Sequence, residues 1–176
     1  MKKIALFLFY SLFFLAMLLF FTPKENLYYF AEEQLKPLGI VIGYEEVIDH
    51  GFSLEIKDAK LYVQKIKSAN IASTTIHFFG LYNTITIKNI ILDSTFEQFF
   101  PPLINHVTLH ESIFSPQKIV AEAIGDFGEA HATVNLLDRN ISVIVKPSKL
   151  MRSRYRNTLR QLKKTKEGDY RYESKF

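Results

Sequence analysis

The chain has 176 residues, no cysteine, no tryptophan and a formal net charge of +4. Without cysteine it can form no disulfide framework and undergo no lipoprotein processing, so the domain must be held together by its core. Nine basic residues and no acidic ones lie within residues 146–166, which leaves the rest of the chain with a net charge of −5.

The first element is an apolar stretch from Ile4 to Phe21 in which only Tyr10 and Ser11 are polar. A helix that rises 1.5 Å per residue over this stretch can cross a hydrocarbon core of roughly 30 Å. The stretch is longer than the core of a usual signal peptide, and no pair of small residues follows it. The sequence therefore predicts a retained membrane anchor over residues 1–22, with anchor side chains that include Ile4, Leu6, Phe9, Phe13, Leu15, Leu18 and Phe21.

The charges on either side of this stretch predict its orientation. Lys2 and Lys3 precede it, whereas the charges from Lys24 to Lys36 nearly cancel. The positive-inside rule then places the N-terminus in the cytoplasm and residues 23–176 outside it, as one domain. In a bacterium this predicts a single-pass inner-membrane protein with a periplasmic domain.

A second helix is predicted directly after the anchor. Thr22 can cap it, Pro23 fits the first helical position and Glu25 completes a capping box. Pro37 and Gly39 end it. Two interpretations remain open, a helix lying in the membrane interface and a helix that packs on the domain.

From Ile40 onward the apolar residues recur with a period of two, and turn residues follow at short intervals. This pattern predicts an antiparallel meander. An irregularity is expected at 58–60, and Ser94 or Thr95 is expected to cap a short turn that contains Phe96, Phe99 and Phe100. These phenylalanines are expected to plug one end of the sheet, and the alternative is a second membrane contact. The predicted strands are Ile40–Tyr44, Leu54–Val63, Ile71–Phe79, Thr84–Leu92, Asn105–Phe114, Gln117–Ile124, Phe127–Leu137, Ile141–Val145 and Tyr170–Phe176.

A basic amphipathic helix is predicted from a cap at Ser148 to about Lys164, with an apolar stripe of Met151, Tyr155, Thr158, Leu159 and Leu162. The fold class is therefore α+β. The basic side of this helix is either a contact for anionic lipid or an acidic partner, or a solvated face. The candidate contact residues are Lys149, Arg152, Arg156, Arg160, Lys163 and Lys164.

Motifs of catalysis are missing from the sequence, so we expect a non-enzymatic protein without cofactor or metal. His106 and His110 are four apart but lie in a predicted strand, on its polar face. Nucleic acid is not an expected partner for an exported domain. Asn140, in an N-x-S sequon, is a candidate glycosylation site, or simply a turn former beside Asp138.

The last part of the chain resembles the type II secretion system protein N family, in the AsmA-like group. The resemblance lies in the order of a strand over Ile141–Pro147, a helix with Leu159 and Leu162, and a strand over Tyr170–Tyr172 after Gly168. It implies a bitopic inner-membrane protein with a periplasmic sheet whose concave face is apolar.

Two functions follow from the resemblance and the anchor. The first is a non-enzymatic component of a cell-envelope or type II secretion-like apparatus, which acts by contact with other envelope proteins. The alternative is an AsmA-like groove that binds or transfers phospholipid. A set of outer-membrane barrel strands is disfavoured, because such proteins require a cleaved signal.

Overall fold

A computed structural model describes residues 2–78 and 81–175. In this part the protein is α+β, with an N-terminal apolar helix, an open antiparallel sheet of eleven strands and a few short helices. The predicted fold class is confirmed. The predicted strand end at Phe79, the residue Gly80 and the terminal Phe176 lie outside the described residues.

Helix α1 spans Lys2–Phe21. Among the described residues it is the one helix long and apolar enough to cross a membrane, a property that signal sequences share. All seven predicted anchor side chains are more than half exposed, so α1 is not a core helix of the domain.

Helix α2 spans Lys24–Leu35 and leads into a 3₁₀ turn at Lys36–Leu38. The predicted capping box is wrong, because Pro23 occupies the N-cap and makes no side-chain cap bond. The Thr22 hydroxyl instead donates to the Leu18 carbonyl at the end of α1, 2.7 Å away. The cap comes from a distant part of the chain, since the Asp49 carboxylate accepts from the Lys24 amide at 3.0 Å.

The sheet is a meander from its third strand to its ninth, as predicted. Its order is β1-β3-β4-β5-β6-β7-β8-β9-β11-β10, and β2 also pairs with β3. The strands are β1 Ile40–Gly43, β2 Glu46–Asp49, β3 Ser53–Val63, β4 Ile66–Phe78, β5 Tyr82–Leu92, β6 Leu103–Ser112, β7 Lys118–Gly125, β8 Gly128–Asn135, β9 Asn140–Pro147, β10 Lys163–Lys164 and β11 Tyr170–Lys175.

The predicted irregularity in β3 is confirmed at Asp58, whose φ is 54°. The irregularity continues through the neighbouring strands, because the pairs 58/72 between β3 and β4, 72/89 between β4 and β5, and 89/105 between β5 and β6 are missing from the ladder. Asn89 also has a positive φ, of 53°. Asp and Asn tolerate this left-handed conformation better than most residues. Ala59 and Ile71 consequently pack on the same side of the sheet as Leu54 and Ile56.

The predicted basic helix is wrong in its extent. Two short helices, α3 (Lys149–Arg154) and α4 (Arg156–Arg160), meet at Tyr155, which has φ −112° and ψ 35°. Lys163 and Lys164 belong to β10, because they pair with Arg171 and Tyr170. Tertiary pairing thus overrides the helical propensity of this segment. The Ser148 cap is confirmed by a 3.1 Å bond from the Met151 amide to its hydroxyl.

The loop between β5 and β6 also differs from the prediction. Asp93, not Ser94 or Thr95, caps its 3₁₀ turn at Ser94–Phe96 by accepting from the Thr95 amide. The phenylalanine plug is only partly formed. Phe100 packs on Phe127 with ring centroids 5.1 Å apart, whereas Phe99 is exposed.

Candidate functional site

One face of the sheet is apolar from β3 to β11. Because side chains alternate along a strand and register fixes their neighbours, the paired residues form rows across the strands. One row contains Ile56, Thr74, Ile87, Val107, Ala123, Ala130, Val145 and Tyr170. The next contains Leu54, Ile76, Ile85, Leu109, Ala121, Ala132, Val143 and Tyr172. We call this surface the apolar face.

The opposite face is polar in the same strands. One of its rows contains Glu55, Thr75, Thr86, Thr108, Glu122, His131, Ile144 and Arg171. His106 and His110 lie on this face as predicted, and their rings bond to the hydroxyls of Thr108 and Thr84 at 2.7 and 3.4 Å. Across residues 2–78 and 81–175, no cluster of three or more His, Cys, Asp or Glu could hold a metal ion.

The apolar face is covered at its two ends. At the near end, beside α1, the buried residues Leu54, Ile56 and Ala59 pack with Tyr28 of α2. At the far end, Val145 and Phe127 pack with the helical residues Met151, Tyr155 and Leu159. The predicted apolar stripe of the basic segment is therefore confirmed at these three positions, and Leu162 packs against the same cluster.

The centre of the apolar face is open. Ile85 and Ile87 of β5 and Val107 and Leu109 of β6 are only half-buried and belong to neither of the two buried clusters. Helix α2 contacts β1, β2 and β3, and α3 contacts β9. The two helical coverings thus leave an uncovered apolar surface on β5 and β6.

The near end carries a polar clamp that joins α1 to the sheet. The Lys24 side chain is 2% exposed, and its ammonium donates to the carbonyls of Leu19 and Thr22 at 2.9 Å each. These carbonyls lie at the C-terminal end of α1, where a cation is favoured. The same ammonium lies 3.8 Å from the Asp49 carboxylate. Lys24 therefore binds the end of α1 to the end of β2.

Asp49 is held ionised by this arrangement. Desolvation opposes its charge, but the amides of Lys24 and Gly51 and the Lys24 ammonium outweigh that effect and lower the pKa of Asp49. Burial and the neighbouring carboxylate of Glu45 raise the pKa of Tyr28, whose hydroxyl donates to Glu45 at 3.4 Å. Asp49 thus supplies the negative charge of the clamp at neutral pH, while Tyr28 stays neutral.

Packing against α1 fixes the turn that follows β2. The rings of Phe20 and Phe52 meet edge to face with centroids 5.3 Å apart. Gly51 has a φ of 83°, and a Cβ there would overlap the ring of Phe20. This clamp was not predicted from the sequence, although a lysine three residues after an apolar helix is a signal for C-terminal capping.

The basic residues are gathered only in part. Arg152, Arg156 and Arg160 line a depression of about 250 Å³ together with Leu159 and Tyr170. The remaining candidates are exposed, Lys149 at the start of α3 and Lys163 and Lys164 on β10. Such a surface can bind an anionic group through bidentate guanidinium contacts.

The sequon lies at the start of a strand. Asn140 is half-buried and pairs with Asn135 of β8 and Lys175 of β11. The turn before it is held by a 2.6 Å hydrogen bond from the side-chain amide of Asn135 to the Asp138 carboxylate. Glycosylation at Asn140 stays a prediction.

Comparison of the chain with protein-family models, curated proteins and solved structures finds no match.

Proposed function

We propose that the protein is a single-pass, non-enzymatic membrane protein that binds phospholipid acyl chains on the open centre of its apolar face. Helix α1 is retained as the anchor of the inner membrane, its N-terminus is cytoplasmic and the sheet is periplasmic. The observation that carries the proposal is the uncovered surface of Ile85, Ile87, Val107 and Leu109 between two covered ends. Contiguous apolar surface that no other element of the fold covers is typical of binding sites.

The dimensions of the open centre suit an acyl chain. The apolar positions of β5 run from Ile85 to Ile90, which gives a length of roughly 17 Å at about 3.3 Å per residue. One leaflet contributes half of a hydrocarbon core of roughly 30 Å. A single acyl chain therefore fits lengthwise on β5 and β6.

The position of α1 supports a lipid as the occupant. Phe52 contacts Phe20 of α1 and lies two positions before the buried Leu54. The apolar face thus begins beside the helix that we place in the membrane. Continuity between the bilayer and this face favours acyl chains over a soluble apolar ligand. The AsmA-like resemblance of the sequence implies the same kind of function.

The test uses the full chain in lipid nanodiscs that contain phosphatidylglycerol with a photoreactive group at mid-chain. After irradiation, mass spectrometry of the peptides should show crosslinks in β5 and β6 in addition to those in α1. Crosslinks confined to α1 would contradict lipid binding by the sheet.

The chain offers a matched control for this experiment. Ile87 pairs with Val107 on the apolar face, and Thr86 pairs with Thr108 on the polar face of the same strands. The double variant Ile87→Glu/Val107→Lys should lose the β5 and β6 crosslinks. Thr86→Glu/Thr108→Lys should keep them, because opposite charges across a strand pair are tolerated. Equal labelling of both variants would argue against binding on the apolar face.

The basic depression favours a second candidate function, contact with an anionic partner in an envelope or secretion-like apparatus. Three arginines lining one depression are the observation behind it. Liposome flotation with the full chain in neutral proteoliposomes tests an anionic membrane as the partner, by co-flotation of added vesicles that contain phosphatidylglycerol. Replacing Arg152, Arg156 and Arg160 with glutamine should abolish co-flotation if that surface binds anionic headgroups. Unchanged co-flotation would contradict this role.

A further inference from the structure

The turns of the meander lie at the two opposite ends of its strands, which we call the two edges of the sheet. The turns at these two edges differ in polarity. The turns after β2, β4, β6 and β8 lie on the same edge, because β3 starts beside the residues where β4 ends, and the pairing continues in this way across the sheet. We call it the anchor-side edge, since Phe52 there contacts α1. The first of these turns contains Phe52, which is 39% exposed. The next three turns contain Leu81 at 57%, Phe114 at 81% and Leu137 at 71%.

The opposite edge is mainly polar. Gln64 and Lys65 form the turn after β3, and Asp126 lies in the turn after β7. The basic helices α3 and α4 follow β9 on this edge. Apolar residues are exposed at this edge as well, among them Phe99 at 56% in the loop after β5, Ile66 at 53% at the start of β4 and Leu150 at 40% in α3.

Helix α2 presents three different flanks. Lys24 and Tyr28 face the clamp and the sheet. Because an α-helix turns by about 100° per residue, Leu27 and Phe30 lie beside each other on a flank about 110° from that of Lys24 and Tyr28, and both are exposed. Glu33 lies on the solvent side, where it pairs with Lys36 at 3.4 Å. The apolar flank of Leu27 and Phe30 is not used by the fold.

The clamp keeps this flank close to the end of α1. Only Thr22 and Pro23 separate α1 from α2, a distance of at most about 10 Å along the chain. Lys24 is bonded to the last turn of α1 and to Asp49, so α2 and the turn after β2 are held together rather than on a flexible linker.

We propose that the bilayer interface covers the apolar flank of α2 and the turns nearest α1, at Phe52 and at Leu81 and Tyr82. The sheet then stands with its anchor-side edge on the membrane. Sheet twist rotates successive strands by about 20° each, so the contact is confined to the turns nearest α1. Tyr82, which is exposed, is of the type enriched at membrane interfaces. This inference rests on the proposed retention of α1, but not on lipid binding by the apolar face.

The absence of tryptophan from the chain provides a clean test. Single tryptophans are introduced into the full chain as Phe30→Trp, Leu81→Trp and Phe99→Trp, and each variant is reconstituted in phosphatidylcholine bilayers with brominated acyl chains. Fluorescence of Phe30→Trp and Leu81→Trp should fall at least twofold relative to unbrominated bilayers. Phe99→Trp, an exposed residue on the opposite edge, is the matched control and should change little.

A fourth variant, Phe13→Trp in α1, separates the two proposals. Strong quenching of Phe13→Trp without quenching of Phe30→Trp and Leu81→Trp would overturn the edge contact and leave the anchor in place. This would also be the outcome if a protein partner covered the edge instead. Lack of quenching at Phe13→Trp would overturn the anchoring itself. Equal quenching of Phe99→Trp and Leu81→Trp would overturn the distinction between the edges.

Discussion

The two ends of the apolar face are closed by different means. At the far end the covering helices follow β9 directly in the chain, and the closure consists of apolar side chains such as Met151 and Leu159. At the near end the strand residues Leu54 and Ile56 are buried by apolar packing. This end also contains a buried charge, Lys24, whose partner Asp49 is 25 residues away.

This difference corresponds to a different structural requirement at each end. Apolar packing alone suffices where a helix has only to cover the sheet. The near end must in addition fix the orientation of α1, and hydrogen bonds with defined geometry do so better than non-directional apolar contacts. Disrupting each end separately should therefore produce different losses.

The largest loss is expected from Leu159→Asp at the far end. Leu159 is buried, and an aspartate there would be an unpaired charge among apolar residues. We expect a loss of about 3–5 kcal/mol in the free energy of unfolding, measured by denaturant titration of the full chain in detergent. Arg156→Asp, three positions earlier and exposed, should remain within about 0.5 kcal/mol of the parent. Equal stability of Leu159→Asp and the parent would mean that the helix face is misassigned.

A smaller loss, about 2–3 kcal/mol, is expected from Lys24→Met at the near end. This change keeps the apolar stem but leaves Asp49 and the end of α1 without their cation. It should also raise amide hydrogen exchange at residues 22–30, whereas Leu159→Asp should not do so at temperatures where the fold persists. Lys36→Met, which removes the ion pairs of an exposed lysine with Glu32 and Glu33, is the control. Unchanged exchange in Lys24→Met would contradict the clamp.

The clamp also predicts a pH dependence. The pKa of Asp49 lies below its ordinary value of 3.8. A carboxyl lowered in this way stabilises the fold above that value, and its contribution is lost as the pH falls through the folded-state pKa. Asp49→Asn should therefore lower the unfolding midpoint more at pH 6 than at pH 3. An equal effect at both pH values would show that its charge is not involved.

The smallest effect is expected at the open centre. Ile87→Thr shortens a half-buried side chain that no helix covers, so we expect a loss below about 1 kcal/mol. Leu54→Thr at the covered near end should cost about 2–4 kcal/mol by analogy with other truncations of buried leucine. Denaturant unfolding of both variants measures the contrast. If the two variants lost similar amounts of unfolding free energy, the centre of the apolar face would be covered in the folded protein.

The sequence alone predicted what depends on local pattern. The apolar stretch of α1, the alternation of the strands, the short turns and the stripe of Met151, Tyr155 and Leu159 are all periodic features, and the structure contains each of them. The irregularity at Asp58 was predictable for the same reason, because the apolar period breaks there.

Only the tertiary structure decided where these elements meet. The cap of α2 comes from Asp49, β10 replaces the end of a predicted helix, and both coverings lie on one face and leave its centre open. None of these features has a local signal. Each depends on which residues the strand register brings together, and register is a property of paired strands rather than of any single segment.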